Sequence, residues 1–285
     1  MQISFIGLGA MGYFMAGHIA NKGLDIVAYN RSEATANKWG REFALSNARA
    51  SSSLQDCAKD VVCLCVSKDE DVREVVAQLL PSMTQGSFII DHSTTSYELA
   101  TEMAELCEKR GVTFVDAPVS GGVEGAKNGV LTVMAGCDES TLEKIKNIID
   151  SYAKNVNAMG QSGHGQLSKM VNQMLICGVL QGLSEGIDFA VTKNLNIEKL
   201  VNTLKDGAAG SWQLANRGNT MAKGEFDFGF AIDLMMKDLG YCADESQKSG
   251  KTYKTLESTL GDYQDLSKQG HGKMDTSALI KKLQK

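Results

Sequence analysis

A lysine and two amide side chains stand at helical spacing in the second half of the chain. Lys169, Asn172 and Gln173 occupy positions i, i+3 and i+4, which fall on one face of an α-helix. The surrounding residues are mostly apolar, so a helix here would remove Lys169 from water. Desolvation lowers the pKa of an ammonium group, which would prepare the lysine for proton transfer. The spacing alone leaves open the alternative that the side chain extends into solvent.

Two further clusters carry polar groups. Ser120, Gly121 and Gly122 follow an apolar run and offer a hydroxyl beside two consecutive glycine N–H groups. Such an arrangement can bind a carboxylate, although a flexible turn has the same composition. The third cluster is the segment Phe230 to Leu239, which contains Lys237 and is typical of an amphipathic helix.

The first twelve residues favour binding of a dinucleotide. An apolar run, Ile3 to Ile6, leads into Gly7-x-Gly9-x-x-Gly12 and then into a helical pattern. The first glycine permits a sharp turn, the second lets backbone approach a pyrophosphate, and the third allows close packing of helix on strand. The helix that follows directs its N-terminal N–H groups toward the phosphates. We therefore predict a dinucleotide site here.

The end of the second apolar run bears on which dinucleotide is bound. An acidic residue is expected there if the chain holds the ribose 2′-hydroxyl of NAD. The sequence has Asn30, Arg31 and Ser32 instead. An amide does not repel a 2′-phosphate, and a guanidinium can bind one. We predict NADP rather than NAD, with NAD as the alternative; Arg31 as a solvated surface charge is the competing interpretation.

Apolar runs alternate with helical patterns as far as about residue 160, which predicts a mostly parallel sheet with helices on both faces. From Ile197 onward every pattern is helical. The predicted fold is α/β: an N-terminal doubly wound Rossmann-type sheet (1–162), a long helix (163–193) and an all-α C-terminal domain (194–285). The runs predicted to form strands are Ile3–Ile6, Ile26–Tyr29, Val61–Val66, Phe88–Asp91, Val112–Val115 and Leu131–Ala135.

Composition excludes several classes of function. The net charge is −5 and no long basic run is present, which argues against a nucleic-acid surface. The seven cysteines are scattered singly, without the spacing of a metal site or a disulfide framework. No charged leader and no uninterrupted apolar run of membrane length stand out. We expect a cytoplasmic protein that binds no metal, membrane or nucleic acid.

Taken together, the clusters resemble the β-hydroxyacid dehydrogenase family. The matching stretches are the glycine turn at Phe5–Gly12, Asp116–Gly122 with Gly129 and Leu131 behind it, Gly163-x-Gly165-x-x-x-Lys169-x-x-Asn172, and Lys237-Asp238-Leu239. They cover most of the chain in the family's order. Many members carry a second asparagine where this chain has Gln173.

The resemblance implies a role for each matched residue. Lys169 would be the catalytic general acid and base. Substrate would be bound by Ser120, Gly121, Gly122, Asn172 and Gln173. Cofactor would be bound by Gly7, Leu8, Gly9, Ala10, Met11, Gly12, Asn30, Arg31, Ser32, Cys65, Val66, Ser93, Thr94 and Lys237.

The implied activity is hydride transfer between NADP(H) and a small carboxylate-bearing hydroxyacid or semialdehyde, by a homodimer or homotetramer. Two alternatives remain at this stage. One is a 3-hydroxyisobutyrate dehydrogenase proper that uses NAD. The other is a non-catalytic protein that binds nucleotide and drives oligomerisation, although the presence of Lys169 argues against loss of turnover.

Overall fold

A computed structural model describes residues 1–284, so Lys285, the last residue of the predicted C-terminal domain, lies outside the described residues. The chain forms two compact units, which meet in sequence between Lys169 and Met170. That point falls inside helix α7, His164–Thr192, which is the longest helix of the described residues. Lys169 therefore belongs to the first unit, and Asn172 and Gln173 belong to the second.

A six-stranded parallel sheet forms the centre of the first unit. Its strand order is β3-β2-β1-β4-β5-β6, in which the chain starts at the middle and winds outward in both directions. This order is that of a doubly wound dinucleotide-binding sheet, and the predicted Rossmann-type fold is confirmed. The strands are β1 Ile3–Ile6, β2 Ile26–Tyr29, β3 Ala48–Ser51, β4 Val61–Leu64, β5 Phe88–Asp91 and β6 Thr113–Asp116.

The central strands β1 and β4 are buried along their whole length, because helices cover both faces of the sheet. One face packs on a core that contains Phe5, Met15 and Trp39. The opposite face packs on a second core that contains Leu64, Val76 and Leu99. The helices of this unit are α1 Gly12–Asn21, α2 Glu33–Glu42, α3 Asp69–Leu79, α4 Tyr97–Glu108, α5 Gly122–Lys127 and α6 Glu139–Ile149.

One predicted strand lies in a different sheet. Leu131–Ala135 forms β8 of a separate three-stranded sheet, where it pairs antiparallel with β7, Val119–Ser120, and parallel with β9, Ala153–Ala158. Expecting it in the main parallel sheet was wrong, because apolar periodicity identifies a strand but not its partners. Strands β3 and β9 were not predicted, since each is half-exposed and polar in composition.

The secondary-structure elements assigned to the described residues of the second unit are all helices, which confirms the predicted all-α domain. After α7 come α8 Ile197–Leu204, α9 Trp212–Lys223, α10 Ile232–Lys248 and α11 Lys254–Leu266. Two short helical segments, Ser267–His271 and Thr276–Lys282, close the unit. Its interior includes Met235, Leu239 and Tyr263, all fully buried.

Helix α7 is long and apolar enough to cross a membrane, by length and composition alone. The sequence of this helix contains no uninterrupted apolar run of membrane length, because polar residues are distributed along it. The central helix of a globular protein can have the same length and composition. The helix also carries Lys169 and Gln173, which are both buried within the chain.

Candidate active site

The glycine turn has the geometry that a dinucleotide site needs. Strand β1 ends at Ile6, and Gly7 follows with φ +96°, a conformation that side chains disfavour. A Cβ on Gly12 would lie 2.0 Å from the carbonyl oxygen of Gly7, so only glycine lets the turn and α1 approach this closely. A Cβ on Gly9 would meet no atom within 4 Å. The space above Gly9 is therefore open, as a bound pyrophosphate requires.

Asn30, the first residue after β2, stabilises the glycine turn. The side-chain oxygen of Asn30 accepts a hydrogen bond of 2.9 Å from the N–H of Leu8, inside the glycine turn. Arg31 extends outward with 89% of its side chain exposed, and its guanidinium lies 3.6 Å from the Asp71 carboxylate. Ser32 occupies the N-cap position of α2. The structure thus brings Asn30 to the glycine turn and leaves the Arg31 guanidinium accessible to a ligand.

The ends of β4 and β5 are joined by a serine. The Ser93 hydroxyl oxygen accepts a hydrogen bond of 2.9 Å from the N–H of Val66, and the Ser93 N–H donates to Asp91. Ser93 is buried, whereas Cys65 and Thr94 are half-buried. Ser93 therefore fixes the two strand ends relative to each other, at the carboxyl edge where ligands of such sheets bind.

Lys169 is buried, and its ammonium lies beside the predicted carboxylate-binding residues. Its Nζ donates a hydrogen bond of 2.9 Å to the carbonyl oxygen of Val119, the residue before Ser120. Gly121 and Gly122 follow with φ of +127° and +63°, conformations suited to glycine. The first unit therefore contains the glycine turn, the Ser-Gly-Gly segment and Lys169. The hydrogen bond to Val119 places Lys169 next to the Ser-Gly-Gly segment.

The remaining predicted residues form a network inside the second unit. The Gln173 side chain donates a hydrogen bond of 2.6 Å to Asp238 and accepts one of 2.8 Å from Asn172. The Lys237 ammonium lies 3.3 Å from the same Asp238 carboxylate, which is buried. Gln173 thus links α7 to α10 through a charge-assisted hydrogen bond. The length of the glutamine side chain spans this distance.

Three buried titratable residues were not assigned roles from the sequence. Asp91 and Asp116 are paired in register at the ends of β5 and β6. Burial raises the pKa of Asp91 to about 7 and that of Asp116 to about 6. Burial lowers the pKa of His92 to about 4. The neutral His92 ring donates from Nδ1 to the Ala117 carbonyl and accepts at Nε2 from the Tyr152 hydroxyl, each at 2.7 Å.

Asp91 should make the stability of the protein depend on pH. Its folded-state pKa lies above the ordinary value of 3.8, so its stabilising contribution is fully present below pH 3.8 and is lost as the pH rises to about 7. We expect the free energy of unfolding of Asp91→Asn, relative to wild type, to rise by roughly 2–3 kcal/mol between pH 5 and pH 7.5. Urea unfolding at the two pH values measures this difference.

The matched control is Asp25→Asn, an exposed residue at the amino end of the same sheet. Its difference from wild type should be the same at both pH values. The His92 contribution is common to all three proteins and cancels from the differences. A constant difference for Asp91→Asn across this range would show that Asp91 is ionised in the folded protein at pH 5.

Among residues 1–284, no group of three or more His, Cys, Asp or Glu side chains could hold a metal ion. The fold and the open glycine turn define a dinucleotide-binding protein, and its first unit carries a buried lysine beside the Ser-Gly-Gly segment.

Comparisons with known proteins agree with this class. Residues 2–160 match the model of the NAD binding domain of 6-phosphogluconate dehydrogenase, and residues 163–283 match the model for NAD-binding of NADP-dependent 3-hydroxyisobutyrate dehydrogenase. The chain is 40% identical to an uncharacterized oxidoreductase of Shewanella frigidimarina, covering 100% of this chain and 98% of the relative. It is 34% identical to the probable 3-hydroxyisobutyrate dehydrogenase-like 1 of Arabidopsis thaliana, covering 100% and 85%.

A solved structure extends the match to the whole fold. The Mycobacterium tuberculosis 3-hydroxyisobutyrate dehydrogenase, determined with L-serine, superposes with a TM-score of 0.89 at 28% identity and covers 100% of both chains. The chain belongs to the β-hydroxyacid dehydrogenase family, as the sequence motifs predicted. It is accordingly an NAD(P)-dependent hydroxyacid oxidoreductase.

Proposed function

We propose that this protein reduces small carboxylate-bearing aldehydes with NADPH, and that Lys169 supplies the proton. The observation that carries the proposal is the hydrogen bond of 2.9 Å between the buried Lys169 ammonium and the Val119 carbonyl. This contact holds a proton donor next to the Ser120-Gly121-Gly122 segment, within one compact unit. A proton donor beside a carboxylate-binding segment suits reduction of a carbonyl that lies a short distance from a carboxylate.

The carboxylate preference is supported by the backbone at Gly121 and Gly122. Positive φ values at consecutive residues curve the chain so that neighbouring N–H groups can converge on an anion, and the Ser120 hydroxyl adds a donor. The Mycobacterium tuberculosis 3-hydroxyisobutyrate dehydrogenase was determined with L-serine, which carries a carboxylate and a β-hydroxyl group. A substrate held in this way would present its carbonyl in a fixed orientation.

The proposed chemistry divides between cofactor and protein. A bound nicotinamide supplies the hydride. Lys169 donates a proton to the oxygen on which negative charge develops, and its positive charge stabilises that oxygen before the proton moves. In the oxidative direction the neutral amine accepts the proton. Burial of Lys169 excludes water, which strengthens its electrostatic interaction with the substrate.

Support for NADPH over NADH comes from the end of β2. Asn30 brings no negative charge to the site, and the Arg31 guanidinium is exposed and able to rotate toward a 2′-phosphate. Its ion pair with Asp71, at 3.6 Å, is solvent-exposed on the arginine side and so costs little to break.

Arg31→Asp should therefore change the cofactor preference. A carboxylate would repel the 2′-phosphate and could accept hydrogen bonds from a ribose hydroxyl. We expect the ratio of kcat/KM for NADPH to that for NADH to fall by about tenfold or more, the effect of losing one charge-assisted contact. Steady-state kinetics with both cofactors measure the ratio.

The control is Arg41→Asp, which makes the same charge change at an exposed position in α2. Its cofactor ratio should remain that of wild type. A ratio that shifts equally in both variants would assign the effect to net charge rather than to contact with the 2′-phosphate.

The function is tested by following NADPH oxidation with succinic semialdehyde, glyoxylate, tartronate semialdehyde and methylmalonate semialdehyde, each with NADH in parallel. We expect turnover of at least one aldehyde with a preference for NADPH. A preference for NADH with methylmalonate semialdehyde would instead identify a 3-hydroxyisobutyrate dehydrogenase proper. Absence of turnover with all four, in protein shown to bind NADPH, would contradict the proposed reaction.

We also propose that the protein self-associates through α7. Leu175 and Phe189 are 66% and 62% exposed on this helix, and Val171 is exposed one turn before Leu175. Exposed apolar side chains concentrated on one helix mark interaction surfaces more often than scattered ones do. A second copy of the chain would cover them.

Leu175→Glu should then dissociate the oligomer, because it places a charge in the apolar contact. We expect the molar mass from light scattering to fall to that of a monomer at micromolar concentration. Val130→Glu is the control, as Val130 is an exposed apolar residue elsewhere, in the first unit. An unchanged mass for Leu175→Glu would exclude this face of α7 as the interface.

A further inference from the structure

Gln166 is a fully buried polar residue in the first turn of α7 and belongs to none of the motifs that predicted the site. Its side-chain oxygen accepts a hydrogen bond of 3.1 Å from the N–H of Thr95. Its side-chain nitrogen donates one of 2.8 Å to the carbonyl of Ser93. One amide therefore holds two backbone groups of the loop that follows β5.

A carboxylate at the end of a sheet strand binds the backbone of the same turn. Asp116, at the end of β6, accepts hydrogen bonds of 2.8 Å from the N–H of Gly163 and 2.9 Å from the N–H of Gln166. The N–H groups at a helix start lack partners within the helix, so Asp116 serves as a cap from a distant part of the chain. The backbone of Asp116 also lies close to this turn, since a Cβ on Gly165 would be 2.5 Å from the Asp116 carbonyl oxygen.

Lys169 lies three residues after Gln166, about one helical turn further along α7. The ammonium of Lys169 bonds to Val119, three residues beyond Asp116 in the chain. Any shift of the first turn of α7 would move Lys169 relative to both the loop 93–95 and Val119. Because all these groups belong to one compact unit, their positions are set together.

We propose that Gln166 is a positioning residue for the reaction: with Asp116, it locks the first turn of α7 to the loop 93–95 and so fixes the Lys169 ammonium. This inference rests on the proposed function, in which Lys169 is the proton donor and Ser93 and Thr94 border the cofactor. A misplaced proton donor lowers the rate steeply, because proton transfer requires hydrogen-bond distance.

The test compares Gln166→Met with Gln161→Met. Methionine has the length of glutamine but makes neither hydrogen bond, so the variant keeps the volume and loses the two contacts. Gln161 is exposed and stands just before α7, which makes it a matched control. The first readout is kcat at saturating NADPH. The second is the rate at which acetic anhydride acetylates Lys169, measured by mass spectrometry relative to the rate for the exposed lysine Lys146.

For Gln166→Met we expect kcat to fall by about tenfold or more, as for loss of a precise catalytic geometry. Acetylation of Lys169 should rise by about fivefold or more relative to Lys146, because the turn opens locally. Gln161→Met should match wild type in both. An unchanged acetylation rate in folded Gln166→Met would overturn the proposal, whatever its kcat.

Two measurements separate failure of the proposed role of Gln166 from failure of the proposed function and from misfolding of the variant. Acetylation does not depend on turnover, so it tests the role of Gln166 even if wild-type protein reduces none of the aldehydes and the proposed function fails. If Gln166→Met does not fold, hydrogen exchange of the wild type decides. Exchange of the Thr95 amide at the same rate as the amides of residues 163–169 supports one locked unit, and independent exchange overturns it.

Discussion

Replacing Lys169 by methionine should lower kcat for aldehyde reduction by about 10²–10⁴, the range contributed by a positioned general acid. Methionine keeps the apolar stem of the side chain and removes the ammonium. The loss should fall on kcat and kcat/KM alike, because the proton is donated only as charge develops on the substrate oxygen. Steady-state kinetics at saturating NADPH measure the effect.

Two controls separate catalysis from stability. The NADPH dissociation constant of Lys169→Met should stay near that of wild type, since the proposed cofactor contacts lie elsewhere. Removing the ammonium leaves the Val119 carbonyl without its 2.9 Å partner, which should cost about 1–3 kcal/mol of stability. Lys146→Met, at an exposed lysine of α6, should retain full activity. Full reductase activity in Lys169→Met would refute its assignment as the proton donor.

Two glycines of the first turn should both lose NADPH affinity when replaced by alanine, but only one of the two variants should also lose stability. Gly9→Ala should fold with wild-type stability, because a Cβ there meets no atom within 4 Å, yet it should lose NADPH affinity by at least about 100-fold. The added methyl group would occupy the space that the pyrophosphate needs. Gly12→Ala should lose both stability and binding, since its Cβ would lie 2.0 Å from the Gly7 carbonyl oxygen.

Titration of NADPH fluorescence gives the affinities, and thermal melting gives the stabilities. Gly261→Ala provides the control, because this glycine of α11 also has open space around it and lies in the second unit. It should bind NADPH as wild type does. Wild-type affinity in Gly9→Ala would show that the pyrophosphate does not lie over this turn.

Local patterns of residues were sufficient to predict the main secondary-structure elements, the family and several site residues of this protein. The glycine turn, strand β1 and helix α1 follow within some twenty residues, so each signal reinforces its neighbours. The long α7 was predicted because apolar residues recur on nearly every turn. The family followed from four motifs in a fixed order, and the comparisons confirm it. Lys169 could be selected because its helix and its spacing to Asn172 are local features.

The partners of buried groups could not be predicted, because they come from distant parts of the chain. Gln166 bonds to Ser93 across 73 residues, and Asp116 bonds to Gly163 across 47. Strand β8 has the same apolar pattern as the strands of the main sheet, but hydrogen bonding to β7 and β9 places it in another. Residue type shows what a side chain can bond to, whereas burial and hydrogen-bond geometry, which decide what it does bond to, exist only after the chain has folded.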